Sequence, residues 1–148
     1  MRGIFREQLR QAVIESAELV QDEAKQTHNF TTKSGKLEDA VKVRSERDGF
    51  VGVVYLDEHE APYARHVYFG TKPHTIVPRE RKALRWPDGG KFVFAKRVQH
   101  PGTKADKFLV AALRSKKAAI DDVFVRRTGL ALEEVAGVIR RRKYTVGG

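Results

Sequence analysis

The sequence predicts an α+β fold, a small antiparallel sheet with two long amphipathic helices on one face and a long hairpin arm. Three observations predict it. Apolar residues recur at helical steps near both ends of the chain, a two-residue period takes over in the middle, and the middle segments are joined by links of hairpin length. The length of 148 residues favours one domain, covering 1–148.

Residues 4–26 read as the first helix. Phe5, Leu9, Ala12, Val13, Leu19, Val20 and Ala24 form its apolar stripe, with Gln8, Gln11, Glu15, Glu18 and Asp22 opposite. The stripe fades at Thr27-His28-Asn29, whose side chains compete for backbone hydrogen bonds. Ser34 is placed to cap a short helical turn through Leu37 and Ala40. Val41 and Val43 then alternate with Lys42 and Arg44, Asp48-Gly49 is a hairpin turn signal, and Phe50 to Leu56 is rich in β-formers. These runs predict two antiparallel strands joined at Asp48-Gly49.

A short helix is expected over Ala61 to Phe69, stopped by Gly70, and a short strand over His74 to Val77, ended by Pro78. Ala83 to Trp86 and Lys91 to Ala95 flank the turn Pro87-Asp88-Gly89-Gly90, so residues 70–100 form the expected hairpin arm. Thr103 with Asp106 resembles a capping box opening a second helical stripe of Leu109, Ala112, Leu113, Ile120, Val123 and Phe124. Arg126 to Gly129 should interrupt that stripe before Leu132, Val135 and Ile139 resume it, and 144–148 should be a frayed tail.

Composition narrows the function. The absence of cysteine excludes disulfides, thiol catalysis and thiolate-bound metals. No window has the apolar length to span a bilayer, so no membrane partner is expected. The N-terminus lacks the apolar core of a signal peptide, which implies synthesis in a cytoplasm. The net charge of +10 permits binding to nucleic acid or to acidic protein surfaces. It is spread along the chain and densest at Arg140-Arg141-Arg142-Lys143, a pattern that also suits a helix C-terminus.

The five histidines do not compose a site. His59 among Asp57, Glu58 and Glu60 reads as a solvated acidic turn, and neither His59 with His66 nor His66 with His74 has metal-ligand spacing. His100 before Pro101-Gly102 suits a loop-fixing hydrogen bond better than general-base catalysis. Gly70-Thr71-Lys72 lacks the second glycine and the preceding strand of a phosphate loop. Accordingly no catalytic residue, no metal ligand and no cofactor is expected.

Tyr63-Ala64-Arg65-His66-Val67-Tyr68-Phe69-Gly70-Thr71, Ile76-Val77-Pro78, Lys82-Ala83-Leu84, and His100-Pro101-Gly102-Thr103-Lys104 with Phe108-Leu109 and Ala112-Leu113 stand in one order and spacing over residues 60–115. In that order they resemble a family of bacteriophage tail components of the head–tail junction. Tyr68 stands where that family carries a glutamate, and Phe124 to Thr128 has no counterpart in it. The resemblance implies a structural virion protein of the tail-completion or tail-terminator kind, made in the bacterial cytoplasm. Such a protein forms a homo-oligomeric ring at the neck, hexameric by analogy with the family. Its partners would be the head connector or stopper and the tail-tube protein, with DNA passing through the lumen unread.

The candidate interface residues are Tyr63, Phe69, Gly70, Thr71, Trp86, Phe92, Phe94, His100, Arg140, Arg141 and Arg142. The alternative is a basic nucleic-acid-binding module, in which Phe69, Trp86, Phe92 and Phe94 stack on bases beside Arg85 and Lys91. A small nuclease using His100, Lys104 and Arg97 ranks below it.

Overall fold

The computed structural model describes residues 2–78 and 84–145, and it has the α+β class expected. Helix α1 (Arg2–Gln26) is followed by the short α2 (Lys36–Asp39), strands β1 (Val41–Glu46) and β2 (Val51–Leu56), and α3 (Ala64–Phe69). Strands β3 (His74–Ile76), β4 (Leu84–Asp88), β5 (Lys91–Ala95) and β6 (Val98–His100) come next, then helices α4 (Phe108–Ser115) and α5 (Lys117–Thr145).

The first hairpin pairs β1 with β2 from Val41 opposite Leu56 to Glu46 opposite Val51. Its turn is a 3-10 turn, Arg47–Gly49, with Arg47 and Asp48 at positive φ. Arg10 on α1 holds the turn, donating from Nε to the Asp48 carbonyl at 2.7 Å while its guanidinium pairs with the Asp48 carboxylate. Those hydrogen bonds from Arg10 keep the Asp48 carboxyl below the usual aspartate range.

Helix α1 packs on both strands of this hairpin, and α4 and α5 pack along α1. Gly52 permits the close approach of α1 to β2, because a Cβ there would lie 3.2 Å from the Ala17 Cβ. The core joins Val20 and Ala24 of α1, Val41 of β1, and Phe108 and Ala112 of α4. Phe108 is its aromatic centre, with the rings of Phe30 at 5.1 Å and Tyr68 at 5.8 Å, both edge-on.

Five expectations need correction. Ser34 caps nothing: the residue before α2 is Gly35, in the left-handed conformation. The third helix starts at Ala64, not Ala61, because Asp57 to Tyr63 are taken up by turns. Thr103 does not cap α4; it bridges to Thr71, and α4 begins five residues later at Phe108. Arg126 to Gly129 do not break the helix, and the break falls at Lys116, between α4 and α5. Helix α5 persists because Arg126 and Arg127 both bind Glu15 of α1, and the flanking Val123 and Ala131 are buried. Tertiary packing outweighs the weak helix propensity of Thr128-Gly129. The expected frayed tail is helical through Thr145, and 146–148 lie outside the described residues.

Candidate assembly surface

The segment after α3 folds back on itself in nested antiparallel pairs. Thr71 bridges Thr103, β3 pairs with β6 from His74–His100 to Ile76–Val98, and β4 pairs with β5 from Leu84–Ala95 to Asp88–Lys91. This is the hairpin arm. Its far turn is Gly89-Gly90, both at positive φ, as a two-residue hairpin link requires.

The base of the arm is built from two Gly-Thr pairs. The Thr71 N–H donates to the Thr103 carbonyl at 2.9 Å, and the Thr103 N–H returns the bond to the Thr71 carbonyl at 3.0 Å. The same Thr103 N–H also reaches Thr71 Oγ1 at 3.0 Å. Each preceding glycine is required by position. Gly70 has φ +73°, and a Cβ on it would stand 2.5 Å from the Thr103 carbonyl oxygen. Gly102 has φ +87°, and a Cβ on it would collide with the Thr71 carbonyl oxygen. Two sequence blocks 32 residues apart are thus one structural element.

His100 fixes this base. Its Nδ1 accepts the Gly102 N–H at 3.0 Å, and its ring stacks on that of His74 at 5.0 Å. Asp106 anchors the base to the rest of the chain. Its carboxylate accepts the N–H groups of Asn29 at 2.7 Å and Phe30 at 3.0 Å, while its own N–H donates to the Val67 carbonyl at 3.1 Å.

Along the arm, Phe92 is 57% exposed and Phe94 is 64% exposed. The Arg85 guanidinium lies 4.5 Å above the Phe92 ring. Trp86 pairs in register with Val93, and its side chain lies outside the described residues. Phe69 and Tyr63 are exposed near the arm base, with Phe69 edge-on to Tyr68 at 5.1 Å. The remaining candidates stand elsewhere. Arg140, Arg141 and Arg142 end α5, where Arg141 lines a shallow pocket with Ile4 and Glu134 beside the start of α1. The eleven candidate interface residues therefore divide into an arm group and a helix-end group.

The alternatives meet other geometry. His59 stands in a turn where its N–H donates to the Asp57 carboxylate at 2.9 Å, and Glu60 is paired with Lys42 at 3.0 Å. Gly70-Thr71-Lys72 leads into the paired arm, not into a helix N-terminus. Among the described residues no three His, Asp or Glu side chains gather as a metal site, and no helix is long and apolar enough to cross a membrane.

Three features escaped the sequence patterns. Glu15 is bound by both Arg126 and Arg127; burial raises its carboxyl pKa, but those bonds and charges outweigh it and hold it below the usual range. Glu38 behaves alike, with burial outweighed by the hydroxyl of Thr32 and by His28 at 3.3 Å. An apolar groove of about 440 Å³ opens between α1, β2, α4 and α5, lined by Val13, Gly52, Leu113 and Phe124 among others. Ser16 also lines it, with a buried hydroxyl that has no hydrogen-bond partner among the described residues. None of these three announces itself in periodicity: Glu15 and the groove depend on residues distant in the chain, and Glu38 on partners across the irregular loop before α2.

Comparison with protein-family models, with curated proteins and with solved structures finds no match to this chain.

Proposed function

We propose that this chain is a non-enzymatic structural protein of the phage neck. It forms a ring that terminates the tail tube and meets the head connector, in the virion. One observation carries the proposal beyond the sequence resemblance. The Phe-Gly-Thr and His-Pro-Gly-Thr blocks of the resemblance pair with each other as the base of an arm that presents Phe92 and Phe94 to solvent.

The mechanism is assembly. An isolated hairpin is marginal in water, and exposed aromatics on one gain most by burial against a second protein surface. The arm reaches a neighbouring subunit of the ring and inserts Phe92 and Phe94, with Trp86 as a further anchor. Closing such contacts around an axis gives a ring, six-fold by the resemblance. The connector and tube proteins meet its other faces, and DNA passes without sequence recognition.

The test is the double variant Phe92→Ala, Phe94→Ala. Its circular dichroism and melting should match the wild type, because both side chains are mainly exposed. Assembly with the cognate tube and connector proteins, scored by electron microscopy, should fall at least about tenfold. Normal assembly of the variant overturns the arm mechanism. Nanomolar binding of arbitrary duplex DNA at physiological salt, falling steeply with added salt, would favour the nucleic-acid-binding alternative instead.

A further inference from the structure

Helix α5 carries a second apolar face that the described residues leave uncovered. Val125, Leu132 and Ile139 recur every seven residues and are 73%, 56% and 50% exposed. On a helix they fall within about 40° of arc, to one side of the face that Val123 and Ala131 bury. Asp121 and Lys143 lie on the same strip at its two ends, and small Thr128 and Ala136 stand between the apolar residues. The seven-residue recurrence is that of one of the two core positions of a helix-pairing seam, the other being filled here by Asp121, Thr128, Ala136 and Lys143, and no other described helix packs on it.

The strip reads alike from both ends about Leu132. Counting outward, Thr128 matches Ala136, Val125 matches Ile139, and acidic Asp121 matches basic Lys143. We infer that α5 pairs antiparallel with α5 of a second copy of this chain, with Leu132 on the two-fold axis. In that arrangement each Asp121, which within its own helix is paired with Lys117 at 3.1 Å, also meets the other copy's Lys143, and the helix dipoles oppose. Parallel pairing would set Asp121 against Asp121 and Lys143 against Lys143, so charge selects the antiparallel form.

The seam from Asp121 to Lys143 is about 33 Å long. Two such helices bury on the order of 1,000 Å² in total, the lower end of specific interfaces. An interface of that size suits weak, concentration-dependent self-association. The contact is isologous and closes at two copies. It uses no residue of the arm, so it stands or falls separately from the ring.

Because the chain has no cysteine, single cysteines report the pairing directly. In the full-length protein under mild oxidation, Leu132→Cys should cross-link to a dimer by itself. Val125→Cys alone and Ile139→Cys alone should not, yet an equimolar mixture of the two should. Glu133→Cys, exposed on another side of α5, controls for random collision and should stay monomeric. Sedimentation of the wild type should show a concentration-dependent dimer that Leu132→Glu weakens at least about tenfold. Asp121→Lys and Lys143→Asp should each weaken it, and the double exchange should restore it. Self-cross-linking by Val125→Cys, which parallel pairing would produce, overturns the inference. So does a wild type that stays monomeric at every concentration, or cross-linking by Glu133→Cys equal to that of Leu132→Cys.

Discussion

Asp106→Ala removes a carboxylate that ties the 27–35 loop to the base of the arm. The lost group accepts two backbone N–H groups, from Asn29 at 2.7 Å and Phe30 at 3.0 Å. Both amides are half-buried beside the Phe30–Phe108 ring contact, so water replaces the acceptor poorly. Taking each bond at the low end for a charged acceptor, about 1.5 kcal/mol, the loss is about 3 kcal/mol. For a domain of this size that is a fall in melting temperature of about 6–12 °C. Asp106→Asn keeps one carbonyl oxygen for the same amides and gives up only the charge assistance, a loss of about 1 kcal/mol. Urea unfolding and calorimetry of the three proteins measure the series. An alanine variant within about 0.5 kcal/mol of the wild type would refute the clamp. An asparagine variant as damaged as the alanine one would show that charge, and not hydrogen bonding, is what matters there.

Gly70→Ala should cost about 2 kcal/mol or more, since it sets a side chain at positive φ against the Thr103 carbonyl. Faster amide exchange at Thr71 and Thr103 would locate the damage at the arm base. Unchanged exchange and stability would show that the base tolerates a Cβ. Glu15→Gln probes the α1–α5 contact through pH. The folded Glu15 pKa lies below its unfolded value, so its stabilisation is complete above the ordinary glutamate range and fades as pH falls through the folded pKa. Wild type should exceed the variant by at most about 1 kcal/mol near neutral pH, and the difference should vanish in acid. A difference that grows on acidification would reverse the assignment.

Local chemistry alone located most elements, and the reason is visible at particular residues. The stripe of α1 is legible because Ala12, Val20 and Ala24 recur at helical spacing and are all buried, and the first hairpin because Asp48-Gly49 joins two β-rich runs. Turn chemistry at Gly89-Gly90 likewise marked the arm. Where local signals competed with distant contacts, they misled. Thr103 and Asp106 have capping spacing, yet Thr103 is taken by Thr71 and Asp106 by the amides of Asn29 and Phe30. Thr128-Gly129 suggests a helix break, yet Glu15 and the buried Ala131 hold the helix through it.

The candidate surface shows the same division. Sequence by itself determined the α+β class, the arm and the residue types along it, because periodicity and turn residues act over a few positions. Only the tertiary structure decided that Gly70-Thr71 and Gly102-Thr103 are one paired element, because their meeting depends on closing a loop of some thirty residues. Only it decided which apolar residues stay uncovered. Val123 and Val125 of α5 are the same residue type two positions apart. One is buried beneath α1 and the other is exposed, since burial depends on where the neighbouring helix lies.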